Sequence, residues 1–296
     1  MNRRNFIEKG IAAIAVYHAI ARTASATAGH ESKAGKRRIG IQLYSIRKSL
    51  PKDFSGSLKK LADIGYTSAE AYGWNGKSFL GKSLKETAAM LGDAGMQLTG
   101  THCGTGLLPA DVQSKEWDYW RISAHEMNEA GGKHLVQSWL PDKSLDGLKR
   151  LAAQFNTIGE LCKKEGIKFG YHNHHAEFAK TEDQVILDVL LRHTDPALVF
   201  FQLDLGHAVN GGGDILAYLK KYPGRFLSWH ASDFKTGKGY TEVGEGDVPY
   251  KELFKQAKSY GVESLIVEQE TEGDIYASCK NDFIYLSQYS WTKIKR

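Results

Sequence analysis

From residue 38 onward the chain repeats one pattern: a short apolar run of strand character, then a stretch whose apolar residues recur at helical spacing. The strand-like runs are Ile39–Ser45, Ser68–Gly73, Gln97–Gly104, His134–Leu140, Lys168–His174, Val199–Gly206, Phe226–Phe234 and Ser264–Glu270. Between them, segments such as Leu58, Leu61, Ala62 and Ile64 follow the 3.6-residue period of a helix. Gly65, Gly95, Gly131, Gly166 and Gly261 fall where such helices would end in a left-handed cap. A last helical stretch is expected from Ile275 to Lys293. Strands that alternate with helices run parallel, because each crossover must return to the same edge. Eight such units predict an α/β fold, a single-domain (β/α)8 TIM barrel over residues 38–296. An open doubly wound sheet rarely needs eight units. Its dinucleotide fingerprint is also missing, since Gly211-Gly212-Gly213 follows a strand without the required glycine spacing. No phosphate-binding loop and no strained nucleophile elbow is present.

The first 28 residues break this rhythm and read as an export signal. Arg3-Arg4 followed by Phe6-Ile7 is twin-arginine-like, Ile11 to Ala21 is an apolar run interrupted by His18, and Ala24 to Ala28 offers two A-x-A cleavage sites. Residues 29–37 then form a linker, and the expected location is the periplasm. The signal also accounts for much of the net charge of +5: Arg3, Arg4, Lys9 and Arg22 against Glu8 contribute +3, leaving about +2. So weak a balance speaks against a nucleic-acid partner. No apolar run approaches the roughly 20 residues needed to span a bilayer. Cys103, Cys162 and Cys279 are odd in number and far apart, with neither zinc-ribbon nor disulfide-framework spacing, and are expected as packed free thiols.

In a barrel of this kind chemistry gathers at the C-terminal ends of the strands. Successive strand residues alternate faces, and every predicted strand places a polar or ionisable group toward that mouth. These are Gln42 with Tyr44, Glu70, His102, Gln137, His172 with His174, Asp204, His230, and Glu268 with Glu270 behind it. Burying carboxylates and imidazoles without partners costs several kcal/mol each, and a bound cation removes that penalty. Mixed carboxylate and imidazole donors suit Mn2+, Zn2+, Co2+ or Fe2+.

Several motifs resemble the sugar phosphate isomerase/epimerase superfamily, the xylose isomerase-like barrels, over essentially the whole chain after the signal. They are Ile39-Gly-Ile-Gln-Leu-Tyr-Ser45, Gly65-Tyr-Thr-Ser-Ala-Glu70, Tyr171-His-Asn-His174 with Glu177-Phe178, Leu203-Asp-Leu-Gly206, His230-Ala-Ser-Asp233, Val243-Gly-Glu-Gly246 and Val267-Glu-Gln-Glu270. The Tyr-His-Asn-His run belongs to one branch. The resemblance implies one divalent ion held by His172, Asp204, His230 and Glu268, with Mn2+ ranked first and Zn2+, Co2+ or Mg2+ as alternatives. His172 departs from the usual glutamate, which weakens a symmetrical two-carboxylate epimerase mechanism. Ser232 stands where many relatives have a substrate-binding lysine, a role that Lys235 is the candidate to take over. His207 matches a substrate-contact position.

The expected chemistry is proton abstraction beside a carbonyl on an unphosphorylated sugar or keto-sugar, since no phosphate-binding cluster is apparent. Glu268 is the expected base, with His172 as its catalytic partner. Isomerase or epimerase ranks first by frequency in the family, a keto-sugar or 3-keto-glycoside lyase or dehydratase close behind, and a non-catalytic carbohydrate-binding barrel third. Glu70, His102, Gln137, His174, Glu177, His207, Trp74 and Trp139 are the expected substrate contacts, the two tryptophans as stacking platforms. Asp233 is a weaker candidate at the same mouth. Trp229 is expected to pack under the helices, and His125, His134 and His193 receive no role. Assembly into a homo-oligomer is left open.

Overall fold

The computed structural model describes residues 38–294. The expected export signal at 1–28 and linker at 29–37 lie outside these residues. Eight parallel strands close into a barrel: β1 (Gly40–Gln42), β2 (Ser68–Trp74), β3 (Gln97–Cys103), β4 (His134–Gln137), β5 (Lys168–His172), β6 (Val199–Asp204), β7 (Ser228–Ala231) and β8 (Ser264–Val267). Each strand pairs with its sequence neighbours, and β8 returns to β1. The helical layer outside it is α1 (Phe54–Ile64), α2 (Leu84–Asp93), α3 (Asp118–Glu129), α4 (Leu145–Lys164), α5 (Ile186–His193), α6 (Leu205–Asn210), α7 (Ile215–Lys221), α8 (Tyr250–Gln256) and α9 (Ile275–Ser287).

The helices form for local reasons. Ser83 and Glu86 make a capping box at the start of α2, and Ser144 accepts the Gly147 N–H at the start of α4. One face of α4 buries Leu148, Leu151, Phe155, Ile158 and Cys162, a helical period laid against the sheet. All five glycines expected as caps have positive φ. Trp229 packs outward against Phe254 of α8, as expected, with ring centroids 6.2 Å apart. The three cysteines are free and buried. No helix among the described residues is long and apolar enough to cross a membrane.

Inside the barrel two glycines make room for aromatic rings. A Cβ on Gly100 would lie 2.2 Å from the His134 ring, and one on Gly170 would lie 2.5 Å from the Phe200 ring. Both rings therefore enter the barrel only because the neighbouring strand carries no side chain there.

Most strands end sooner than the apolar runs predict. After Gln42 the chain tightens into a 3-10 turn, Leu43–Ile46, whose first N–H groups are capped by the Gln42 side chain. Tyr44 is consequently 39 % exposed and does not point into the barrel. After Asp204 the chain turns at once into α6, with the Asp204 carboxylate accepting the His207 N–H. The run Phe226–Phe234 contains β7 and then the first strand of an antiparallel hairpin, Asp233–Lys235 with Gly239–Thr241, which lies outside the barrel sheet. The last helical stretch ends at Ser287, followed by a 3-10 turn at Ser290–Thr292.

Candidate active site

His172 and Asp204 are the last residues of β5 and β6, His230 lies within β7, and Glu268 follows β8 directly. All four are buried, and one donor atom from each lies within 4.8 Å of the others. His230 Nδ1 lies 2.7 Å from Glu268 Oε2, and His172 Nε2 is 4.0 Å from the same oxygen. Asp204 Oδ1 accepts from Ser232 Oγ at 2.6 Å and from the His207 N–H at 2.7 Å. Two atoms of this quartet have no partner: His172 Nδ1 and Asp204 Oδ2. A buried polar atom left unpaired costs about 1–3 kcal/mol. Two of them in one cluster of imidazole and carboxylate donors fit a divalent first-row ion.

The electrostatics of the cluster follow from its burial. Desolvation, and then the neighbouring imidazoles, push His172 well below its ordinary pKa. Desolvation and His207 lower His174 to about 4. Both rings are therefore neutral donors near pH 7. Burial alone would lower His230, but hydrogen bonds to Glu268 and Glu70 outweigh it and raise the ring to about 10. Burial would likewise raise Glu268, yet the His230 hydrogen bond holds it down to about 2. Desolvation raises Asp204, the carboxylate with the orphaned oxygen. Glu270 is pushed up to about 7 by burial and by the charge on Glu268, and its Oε1, 3.5 Å from His207 Nε2, has no hydrogen-bond partner.

The expected substrate contacts divide. His174 and His207 stand at the quartet's outer side, with ring centroids 4.8 Å apart. His207 Nδ1 is hydrogen-bonded to the Tyr240 hydroxyl, which also accepts from Asn210 Nδ2 at 3.2 Å. Trp139 is 53 % exposed and free to present a ring face. The other five have different places. Glu70 is fully buried beneath the quartet, where five side chains donate to it, so it does not line the mouth. His102 is buried against it, its Nε2 2.9 Å from Glu70 and 2.7 Å from Gln202. Trp74 is buried and donates its indole N–H to Ser123 Oγ of α3, so it is not a stacking platform. Gln137 is buried and donates to the Thr105 and Trp139 carbonyls, shaping the loop after β4. Glu177 accepts the Tyr171 hydroxyl at 2.5 Å and the His174 N–H at 3.0 Å, which fixes the chain just after β5.

Asp233 is likewise a loop organiser, accepting backbone N–H groups of Phe234, Gly244, Gly246 and Val248. Lys235 pairs with Asp247 on the exposed side of the hairpin. Sequence reasoning gave no role to His134, yet its Nε2 lies 2.8 Å from Glu70 Oε2. It also passed over Tyr240, which the hairpin delivers and no local pattern announces. Gln202 carried a signal, an inward polar residue alternating with Phe200 in a buried strand.

The xylose isomerase-like TIM barrel family model matches residues 58–293. Among curated relatives, an inosose dehydratase of Clostridium perfringens is 32 % identical over 166 residues, 47 % of this chain and 55 % of that protein. The chain thus spans about half the length of the first curated relatives it matches. A sugar phosphate isomerase/epimerase structure from Parabacteroides distasonis is 28 % identical with a TM-score of 0.80, covering 90 % of this chain and 99 % of that one. The IolI protein, whose crystal structure holds a zinc atom, shares the fold at 11 % identity and a TM-score of 0.65, covering 88 % of this chain and 100 % of that one. With the family model extending over most of the barrel, the chain belongs to the xylose isomerase-like TIM barrel family.

Proposed function

We propose that the chain is a divalent-metal-dependent lyase or dehydratase that acts on an unphosphorylated keto-sugar. The observation that carries this reading is the buried quartet His172, Asp204, His230 and Glu268, with two of its donor atoms unpartnered. Mn2+ remains the first choice of ion and Zn2+ the second, because the donor set accommodates both. When bound, such an ion polarises the substrate carbonyl and stabilises the enediolate oxygen, a contribution of several kcal/mol.

The protein's own groups would do the rest. Glu268 stays ionised near neutral pH, and His230 holds it through Oε2, leaving Oε1 to take the proton from the carbon beside the carbonyl. The electron pair left behind forms the new carbon–carbon double bond, and the bond from the next carbon to its oxygen substituent breaks. That oxygen leaves with its electron pair and takes a proton from the imidazole rim, His174 or His207. His172, neutral and buried, occupies the place where a two-base epimerase needs a second carboxylate. This asymmetry of one carboxylate base facing imidazoles favours elimination over epimerisation, and the dehydratase relatives agree in reaction class.

An isomerase or epimerase is the second reading, favoured by likeness to the Parabacteroides distasonis protein over nearly its whole length. Proton NMR in D2O with a panel of ketoses, keto-inositols and 3-keto-glycosides tests both. Deuterium entering beside the carbonyl, with an unsaturated ketone as product, is the expected result. Exchange with a stereoisomer or a moved carbonyl as product would support the second reading. No exchange on any keto-sugar would sink both.

The proposal extends to export to the periplasm, supported by the order of charge, apolar run and A-x-A sites within residues 1–28. N-terminal sequencing of protein from a periplasmic extract should begin near Gly29. Recovery of the uncut chain from cytoplasm alone would contradict it.

A further inference from the structure

We infer that Glu70 is a positioning residue for the metal centre, a buried carboxylate that fixes which edge of His230 faces the ion. The inference rests on the metal reading of the quartet.

Glu70 has no exposed surface. Its Oε1 lies 2.8 Å from Gln42 Nε2, 2.9 Å from His102 Nε2 and 2.9 Å from His230 Nε2. Its Oε2 lies 2.8 Å from His134 Nε2 and 3.0 Å from Gln202 Nε2. The donors come from β1, β3, β4, β6 and β7, so one side chain of β2 is tied to five of the other seven strands. A carboxylate has about four lone-pair sites. Five donors saturate it, and none of its acceptor capacity is left for a substrate or an ion.

The consequence falls on His230. An imidazole has two nitrogens, and a metal takes one of them. Glu70 engages Nε2, while Nδ1 is the edge that meets Glu268 inside the quartet. The carboxylate beneath the site therefore keeps the Nε2 proton in place, sets the ring's rotation and leaves Nδ1 as the donor. Outer partners of this kind typically change metal affinity by about 10–100-fold when removed. Other ligands lack this support. His172 Nδ1 and Asp204 Oδ2 have no partner at all, so in this site preorganisation is concentrated on His230.

The test compares Co2+ binding to wild type, Glu70→Gln and His134→Gln by calorimetry and by the visible d–d spectrum. His134→Gln also disturbs the buried network but leaves the Glu70–His230 contact alone. Glu70→Gln should bind Co2+ about 10–100-fold more weakly with shifted bands, and His134→Gln should stay within a few-fold of wild type with the same bands. Equal affinity and spectrum in Glu70→Gln and wild type would overturn the inference, as would equal losses in the two variants. If Glu70→Gln does not fold, 15N NMR of histidine-labelled wild type loaded with 113Cd decides without it. Cadmium coupling to Nδ1 of His230 with a proton on Nε2 supports the inference, and coupling to Nε2 overturns it. A wild type that binds no divalent ion would overturn the metal reading itself, a failure distinct from either of these.

Discussion

Ser232 Oγ donates to Asp204 Oδ1 across 2.6 Å, and this contact directs the other carboxylate oxygen, Oδ2, into the quartet without a partner. The serine is itself held, since it accepts the Gly206 N–H at 2.9 Å. A Cβ on Gly206 would come within 2.6 Å of that hydroxyl, so the glycine is required for the approach. Ser232 thus has a defined task in a position where related chains carry lysine: it orients a carboxylate.

This relationship sets the first prediction. Asp204→Asn should abolish stoichiometric metal binding, because the amide cannot supply the anionic oxygen. Ser232→Ala should retain the metal but bind it about tenfold more weakly, the usual scale for losing an outer partner. Metal analysis after dialysis, with calorimetric titration, measures both. Full metal content in Asp204→Asn would remove Asp204 from the ligand set.

The second prediction concerns pH and stability. Asp282 is fully buried on α9 and joins two loops of the mouth, accepting the Val243 N–H at 2.7 Å and the Gln269 amide at 2.7 Å. Burial outweighs these two donors and raises its pKa to about 7, from an ordinary 3.8. Between those values the folded chain holds a proton that the unfolded chain releases. The contribution is therefore full below about pH 4 and is lost as pH rises toward 7. From pH 5 to pH 8 the wild type should lose about 2 kcal/mol relative to Asp282→Asn, which cannot titrate. Urea unfolding of both proteins at the two pH values reads this difference. An unchanged gap would show that Asp282 is ionised throughout.

The rhythm of eight units was legible because it is local: apolar period, cap and turn are each written within a few residues. The meeting of His172, Asp204, His230 and Glu268 was legible for a related reason, since each sits at or beside the end of its strand. Depth inside the barrel was not legible. Alternation tells which face Glu70 is on, but its height follows from the stagger between strands. Glu70 is in register with Gly100, and Gly100 with His134, the first residue of β4. That places Glu70 below the mouth, among groups from the other end of the barrel. Trp74 failed as a platform for a similar reason, because a register shift in β2 between Ala71 and Trp74 precedes its turn toward α3. Tyr240 reaches His207 from a hairpin distant in sequence, and only tertiary structure brings the two together.

That contact supports the third prediction. The Tyr240 hydroxyl links Asn210 to His207 Nδ1, and it is the one hydroxyl printed on that ring edge among the described residues. Removing it in Tyr240→Phe leaves the phenyl ring in place but frees the imidazole to rotate or change tautomer. Turnover should fall about tenfold in kcat/KM, in line with one lost hydrogen bond of about 1–1.5 kcal/mol. Metal content should be unchanged, because no atom of the quartet is touched. Loss of metal in this variant would show instead that the hairpin supports the ligands.

The fourth prediction isolates the base. If Glu268 removes the proton beside the carbonyl, Glu268→Gln must lower the exchange of that proton with solvent as well as product formation. General-base removal typically costs 10²–10⁴-fold. Glu268 is also a proposed ligand, so a loss of rate alone is ambiguous. The measurement is therefore made at saturating metal, with occupancy read in the same sample, and Glu268→Asp serves as a comparison that keeps a carboxylate at a shorter reach. Glu268→Gln with the metal in place should show exchange near background, and Glu268→Asp should recover part of it. The neutral amide also removes the anion that His230 meets at 2.7 Å, so the metal affinity of the Gln variant should fall more than that of the Asp variant. Exchange at the wild-type rate in metal-loaded Glu268→Gln would assign the base elsewhere. Glu270, whose unpartnered oxygen lies 3.5 Å from His207, would then be the next group to replace.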